Sequence, residues 1–132
     1  MSNFEKNLEQ ALNNAKRLTD KILIDGKLIS AQTNNKIPVL NPSTGDNIGS
    51  APQCNKDDVN IAVESAHKAF QKWKKIPARE RGKMVAAGAK RLEERKSEIE
   101  TLLSLDTGNA LRTQAIPETG ASIELTNMFA GL

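Results

Sequence analysis

The sequence of 132 residues has few of the residues from which small proteins build covalent, metal-centred or aromatic cores. Its single cysteine, Cys54, cannot form an internal disulfide, and one thiol excludes a cysteine-rich zinc site. Aromatic residues make up only 3% of the chain, and tyrosine is absent. A chain of this length typically buries roughly 65–70% of its unfolded surface. We therefore expect a thin aliphatic core, or a core that a partner surface completes.

Long apolar runs are also missing, since no segment approaches the roughly 18 residues of a membrane span. The first twenty residues carry Glu5, Glu9 and Asp20 without an apolar block, which excludes a typical signal peptide. They also lack the Arg- and Ser-rich, acid-poor composition of a transit peptide. The sequence therefore predicts a cytoplasmic protein with no membrane partner.

Positive charge is concentrated in one part of the chain. The net charge is +3, whereas residues 71–100 alone contain ten basic and five acidic residues. Such a stretch can attract phosphates, and a small basic nucleic-acid-binding domain is a remote alternative. Acids interrupt the run throughout, so a solvated helical face is the favoured interpretation, with Glu93, Glu94, Glu98 and Glu100 in surface ion pairs.

The chain divides into three segments by its hydrophobic pattern. Residues 1–20 place Phe4, Leu8 and Leu12 at helical spacing, which predicts an N-terminal helical extension. Residues 21–52 alternate short apolar runs with turn formers, which predicts a meander of short antiparallel strands. Residues 53–132 predict long helices, so the fold class of the chain is α+β.

Several local signals predict where elements turn, begin and end. Asp25–Gly26 suits a type I′ hairpin turn, and Pro38 places its strand at a sheet edge. Asn55 is a good helix N-cap, and Gly108 is typical of a helix end. We expect the long helix after Pro77 to bend or break near residues 94–97.

Two of the helices have an apolar face. The first contains Val59, Ala62, Val63, Ala66, Phe70 and Trp73. The second opens at Pro117 and contains Ala121, Leu125, Met128, Phe129 and Leu132.

Residues suited to catalysis are scarce. Cys54 precedes a helix start, which can activate a thiol, but its only possible imidazole partner is His67. The two would be about 18 Å apart along one straight helix, which excludes a dyad within this segment. Glycine-rich nucleotide loops and histidine pairs for a transition metal are absent. The residues alone therefore indicate no catalytic and no cofactor-binding side chain.

Six short motifs, in this order and at these spacings, resemble the aldehyde dehydrogenase family, an α/β family. They cover residues 22–28, 39–45, 58–73, 78–82, 105–108 and 129–132. The resemblance spans about residues 22–132. Residues 109–114 depart from the Lys-Pro that commonly follows the family's Asp-x-Gly turn, and Met128 stands where an aromatic is common.

The resemblance implies a supporting role for this chain. It implies that residues 21–52 belong to the oligomerisation part and residues 53–132 to an incomplete outer layer of the cofactor-binding domain. The family's catalytic cysteine, glutamate and asparagine and its NAD or NADP loops lie further downstream. We therefore expect a chain truncated before the catalytic residues and inactive alone, with dehydrogenase subunits or the missing C-terminal part as partners. The alternative is a non-catalytic module that pairs with a full-length dehydrogenase through residues 22–40.

The resemblance also implies a monovalent cation site. The backbone carbonyls of Val39 and Leu40 and the Asp106 side chain match the family's ligand positions, and hard cations prefer oxygen ligands. The alternative is that Asp106 simply caps a turn.

Overall fold

The computed structural model describes residues 3–132 as five α-helices, one π-helical turn and four strands. In chain order these are α1 Asn3–Leu18, β1 Lys21–Ile24, β2 Lys27–Ser30, β3 Lys36–Leu40, β4 Asn47–Pro52, α2 Lys56–Trp73, α3 Ala78–Glu94, α4 Lys96–Thr107, the π-helical turn Leu111–Ala115 and α5 Ile116–Ala130. The α+β class is thereby confirmed. None of these helices is long and apolar enough to cross a membrane.

The helix predicted at the start of the chain is present as α1. Its apolar stripe faces inward, since Ala11 is buried and Leu8 and Leu12 are half-buried. The side chain of Phe4, which was predicted to extend this stripe, lies outside the described residues. The inward face of α1 packs against α4 and β4.

The strands form two separate antiparallel hairpins, β1–β2 and β3–β4, rather than one continuous sheet. Asp25 and Gly26 both have positive φ, +51° and +72°, as a type I′ turn requires. Pro38 pairs with Ser50 in a strand that has only one neighbour, which confirms its edge position. Asp20 joins the hairpins, because its N–H donates to the Ser50 carbonyl at 3.1 Å and its carboxylate accepts from the Ser50 hydroxyl at 2.7 Å.

A capping box fixes the start of α2. The predicted cap Asn55 accepts from the Asp58 N–H at 2.8 Å, and its own N–H donates to the Asp58 carboxylate at 3.1 Å. That buried carboxylate also accepts from the Gln32 N–H at 3.0 Å, which ties α2 to the segment after β2. The local sequence signal for this capping box is the spacing of Asn55 and Asp58, which are three residues apart.

The predicted break in the long helix occurs at Arg95, between α3 and α4. Here the Arg95 guanidinium donates twice to the Glu98 carboxylate, at 3.0 and 2.5 Å. The prediction that Glu98 and Glu100 lie on the surface is wrong, since both are buried. For Glu98 the reason is that α1 packs over α4 and brings Asn14 onto its carboxylate. The hydrogen bonds from Arg95 hold the pKa of Glu98 below its usual range.

Small residues form the core of the described chain. Ala11, Ala89 and Ala115 have no exposed surface, and Ile123 is 5% exposed, whereas no large side chain is fully buried. The backbones of α3 and α5 lie close together, since a Cβ on Gly82 would stand 2.3 Å from the Ala130 carbonyl oxygen. The interhelical contact therefore depends on the absence of a side chain at this position.

The large apolar side chains lie mostly on the outside. On α2, Val59, Val63 and Phe70 are 52–62% exposed, and on α5, Met128 and Phe129 are 53% and 62% exposed. The two faces predicted to be apolar are therefore largely uncovered within residues 3–132. The buried side of α5 carries Thr119 and Ile123 instead.

The total exposed surface of the chain also shows that little of it is buried. The chain exposes 9419 Å², whereas a folded monomer of 14.4 kDa exposes about 6,800 Å². It buries about 55% of its unfolded surface, so the expected 65–70% is wrong. The physical reason is that small residues fill the helical contacts while the larger ones stay exposed.

We expect Gly82→Ala to destabilise the chain by about 1–3 kcal/mol, because the added methyl group forces α3 away from the α5 backbone. Gly88→Ala on the same helix is the matched control. A Cβ there meets no atom within 4 Å, so it should stabilise by about 0.5–1 kcal/mol through helix propensity. Urea unfolding followed by far-UV circular dichroism measures both changes. Equal effects of the two substitutions would contradict the assigned contact.

The Arg95–Glu98 pair should give the chain a defined acid sensitivity. Because the folded pKa of Glu98 is lowered, its contribution is complete above the ordinary carboxyl pKa of about 4.3 and is lost as pH falls through the folded value. Glu98→Gln should cost about 1–3 kcal/mol near pH 7, and this difference should shrink below about pH 4. Urea titrations of both proteins from pH 3 to 7 measure it. A difference that does not change with pH would refute the assignment.

Candidate functional site

The structure keeps Cys54 and His67 apart. Cys54 is exposed and free ahead of α2, and His67 is exposed eleven residues into that helix, about 17 Å from its start. The His67 Nε2 lies 3.1 Å from the Gln71 Nε2, so its ring contacts its own helix. The two residues therefore do not form a nucleophile–base pair.

A cavity of 410 Å³ lies between α1, the β3–β4 hairpin and α4. Val39 and Asp106, two of the three residues predicted to bind a cation, both line it. Leu40 does not line it and is 51% exposed beyond an irregularity in the strand register. The structure therefore brings two of the three predicted positions to one place, and cation binding stays a prediction.

The Asp106 carboxylate is not used to cap its turn. The Thr107 hydroxyl donates to the Leu103 carbonyl at 2.7 Å and accepts from the Asn109 N–H at 3.2 Å. The Ser104 hydroxyl closes the turn by donating to the Asn109 carbonyl at 2.8 Å. Within residues 3–132 no hydrogen bond or ion pair reaches the Asp106 side chain. The alternative of a simple capping role is therefore not supported, and the carboxylate is available to a ligand.

Two of the sequence motifs meet beside this cavity. Gly108 ends α4 with φ +74°, and its N–H donates to the Ser104 carbonyl at 3.0 Å. A Cβ at this position would stand 2.8 Å from the Cγ of Pro42, in the turn between β3 and β4. The close contact holds the end of α4, and with it Asp106, against the hairpin that carries Val39.

Groups of three or more His, Cys, Asp or Glu side chains that could hold a metal do not occur in the part of the chain that the structure describes. A cation beside Asp106 would therefore need backbone carbonyls among its ligands. Hard cations bind such carbonyl oxygens readily. Thr19 and Ser50 also line the cavity. Sequence reasoning missed both, because the packing of α1 onto β4 leaves no local sequence signal.

Comparison with known proteins identifies the family. A sequence model of the aldehyde dehydrogenase family matches residues 28–132. The chain belongs to the aldehyde dehydrogenase family. It is 34% identical over 117 residues to the phenylacetaldehyde dehydrogenase of Pseudomonas fluorescens, an alignment that covers 87% of this chain and 23% of that protein. The chain thus spans less than a quarter of this relative.

Two solved proteins, one of them an aldehyde dehydrogenase, have the same fold over this segment. The betaine aldehyde dehydrogenase of Staphylococcus aureus, solved with NAD⁺, superposes with a TM-score of 0.86 at 27% identity, over 95% of this chain and 25% of that one. HpcC of Thermus thermophilus superposes with a TM-score of 0.89 at 24% identity over 96% of this chain and 24% of that one, which shows the shared fold. The resemblance of the six motifs to aldehyde dehydrogenases is thereby confirmed.

Proposed function

We propose that this chain is the N-terminal part of an oxidoreductase that converts an aldehyde to a carboxylic acid with NAD or NADP, and that its own role is structural. Membership of the aldehyde dehydrogenase family supports the reaction class. The NAD⁺ in the Staphylococcus aureus relative supports the cofactor. The cytoplasmic location expected from the sequence belongs to the same proposal.

The excess of exposed surface is the observation that carries the structural role. The chain exposes about 2,600 Å² more than a folded monomer of its mass. Obligate interfaces bury about 2,000–5,000 Å² in total over both partners, so the excess matches one side of a large interface. We propose that α2 and α5 present this surface to the rest of a dehydrogenase, as an outer layer of its cofactor-binding domain.

The residues of this segment do not provide the chemistry. Aldehyde oxidation requires a nucleophile, a base and an acceptor for hydride, which NAD or NADP supplies when bound. Cys54 and His67 are too far apart to act as the first two. We propose that the catalytic groups of the enzyme come from residues outside this segment.

A second candidate is a non-catalytic module that pairs with an intact dehydrogenase through residues 22–40. It is favoured by the β1–β2 hairpin, whose outer edges have no strand partner within residues 3–132 and whose Leu23 is 69% exposed. Such edges accept an additional strand. Co-purification with an intact aldehyde dehydrogenase that Leu23→Lys abolishes and Phe129→Lys does not would favour this candidate over the helical layer.

Ion pairing argues against the remote alternative of nucleic-acid binding. Within residues 71–100, basic side chains contact acids three residues away at 2.8–3.9 Å, as in Lys83–Glu80, Arg91–Glu94 and Lys96–Glu93. These neighbours reduce the positive potential that would attract phosphates.

The chain alone should show no dehydrogenase activity. We expect no reduction of NAD⁺ or NADP⁺ at 340 nm when purified chain is mixed with phenylacetaldehyde or betaine aldehyde. Cys54→Ser is the diagnostic variant, because it removes the only thiol. Cofactor reduction above background that disappears in Cys54→Ser would overturn the structural role and assign Cys54 as a nucleophile.

We also propose that Val39, Leu40 and Asp106 hold a monovalent cation, supported by the free carboxylate of Asp106 beside Val39. Sodium or potassium, at a concentration about ten times its dissociation constant for this site, should stabilise the chain by about 1.4 kcal/mol. Asp106→Asn should abolish this gain, whereas Asp46→Asn, an exposed acid in the adjacent turn, should not. Thermal unfolding at constant ionic strength, with choline as the reference cation, measures the effect. Equal stabilisation of all three proteins would exclude the site.

A further inference from the structure

The cavity between α1, the β3–β4 hairpin and α4 has walls that suit an apolar chain. Its 410 Å³ falls within the roughly 300–1,000 Å³ of small-molecule sites. Leu18 of α1, Ile48 of β4 and Leu102 of α4 contribute apolar surface from three different elements. The wall from α1 lies outside residues 28–132, which the family model matches. The cavity therefore depends on a part of the chain that precedes the matched segment.

Among the polar groups of the cavity, one charged side chain remains available to bind a ligand. Asp106 is the only charged residue in its lining, and its carboxylate has no partner within residues 3–132. The two hydroxyls nearby are already engaged, because Thr19 donates to the Ala15 carbonyl at 3.1 Å and Ser50 donates to Asp20 at 2.7 Å. The free group is thus a hydrogen-bond acceptor of negative charge, which selects a positively charged donor.

We propose that this cavity binds a primary alkylammonium ion, with the ammonium group on Asp106 and the alkyl chain against α1 and α4. An ammonium group supplies three N–H donors to the carboxylate, and the alkyl chain removes the apolar wall from water. An inorganic cation gains nothing from that wall. The proposal does not rest on dehydrogenase activity, but its ligand competes with the inorganic cation proposed above, because both use Asp106.

The test is a titration of the ¹⁵N-labelled full chain, followed by NMR, with n-hexylammonium, methylammonium, 1-hexanol and sodium chloride as separate probes. We expect hexylammonium to bind at least tenfold more tightly than methylammonium, with shifts confined to residues of the cavity. Asp106→Asn should weaken hexylammonium about tenfold or more and leave 1-hexanol unchanged. Ala15→Met, which fills part of the cavity from the α1 side, should weaken the binding of hexylammonium and of hexanol alike.

Asp46→Asn is the charge control and should bind hexylammonium as the unaltered chain does. Equal affinity for hexylammonium and methylammonium would overturn the proposal in favour of a simple cation site. Shifts on the exposed faces of α2 and α5 instead of the cavity would overturn it in favour of non-specific apolar binding. Because the comparison of probes uses the unaltered chain, it decides the matter even if Asp106→Asn or Ala15→Met fails to fold.

Discussion

The close approach of α3 and α5 is the contact on which the helical layer depends. It exists because Gly82 has no side chain, so the Ala130 carbonyl can occupy that space. The buried core of the described chain likewise consists of small residues, such as Ala89 and Ala115. Small residues bring helices close together but remove little apolar area from water. The larger side chains of the same helices, such as Met84 and Met128, are therefore left on the outer faces.

This arrangement accounts for a chain that has a defined fold and yet an incomplete core. The contacts between helices fix their positions, while about 2,600 Å² more surface stays exposed than in a folded monomer of this mass. A segment of this kind suits a chain that spans about a quarter of its solved relatives.

Sequence reasoning predicted the features that depend on neighbouring residues. The Asp25–Gly26 turn, the Asn55 cap and the break at Arg95 each follow from residues a few positions apart. The burial of Glu98 and the link between the two hairpins were not predicted, because they depend on α1 packing over α4 and on Asp20 bonding to Ser50. Those contacts join residues that are distant in sequence and leave no periodic signal.

The candidate site was also beyond what local sequence patterns can predict. Val39 and Asp106 were paired only through the family resemblance, since neither has a local pattern that indicates the other, yet they line one cavity. What the resemblance does not give is the state of the carboxylate. Thr107 satisfies the turn through its hydroxyl, so Asp106 retains its hydrogen-bonding capacity for a ligand. A carboxylate has about four acceptor positions, so even the capping acid Asp58 accepts from two different segments, and Asp106 keeps all of its positions for a ligand within the described chain.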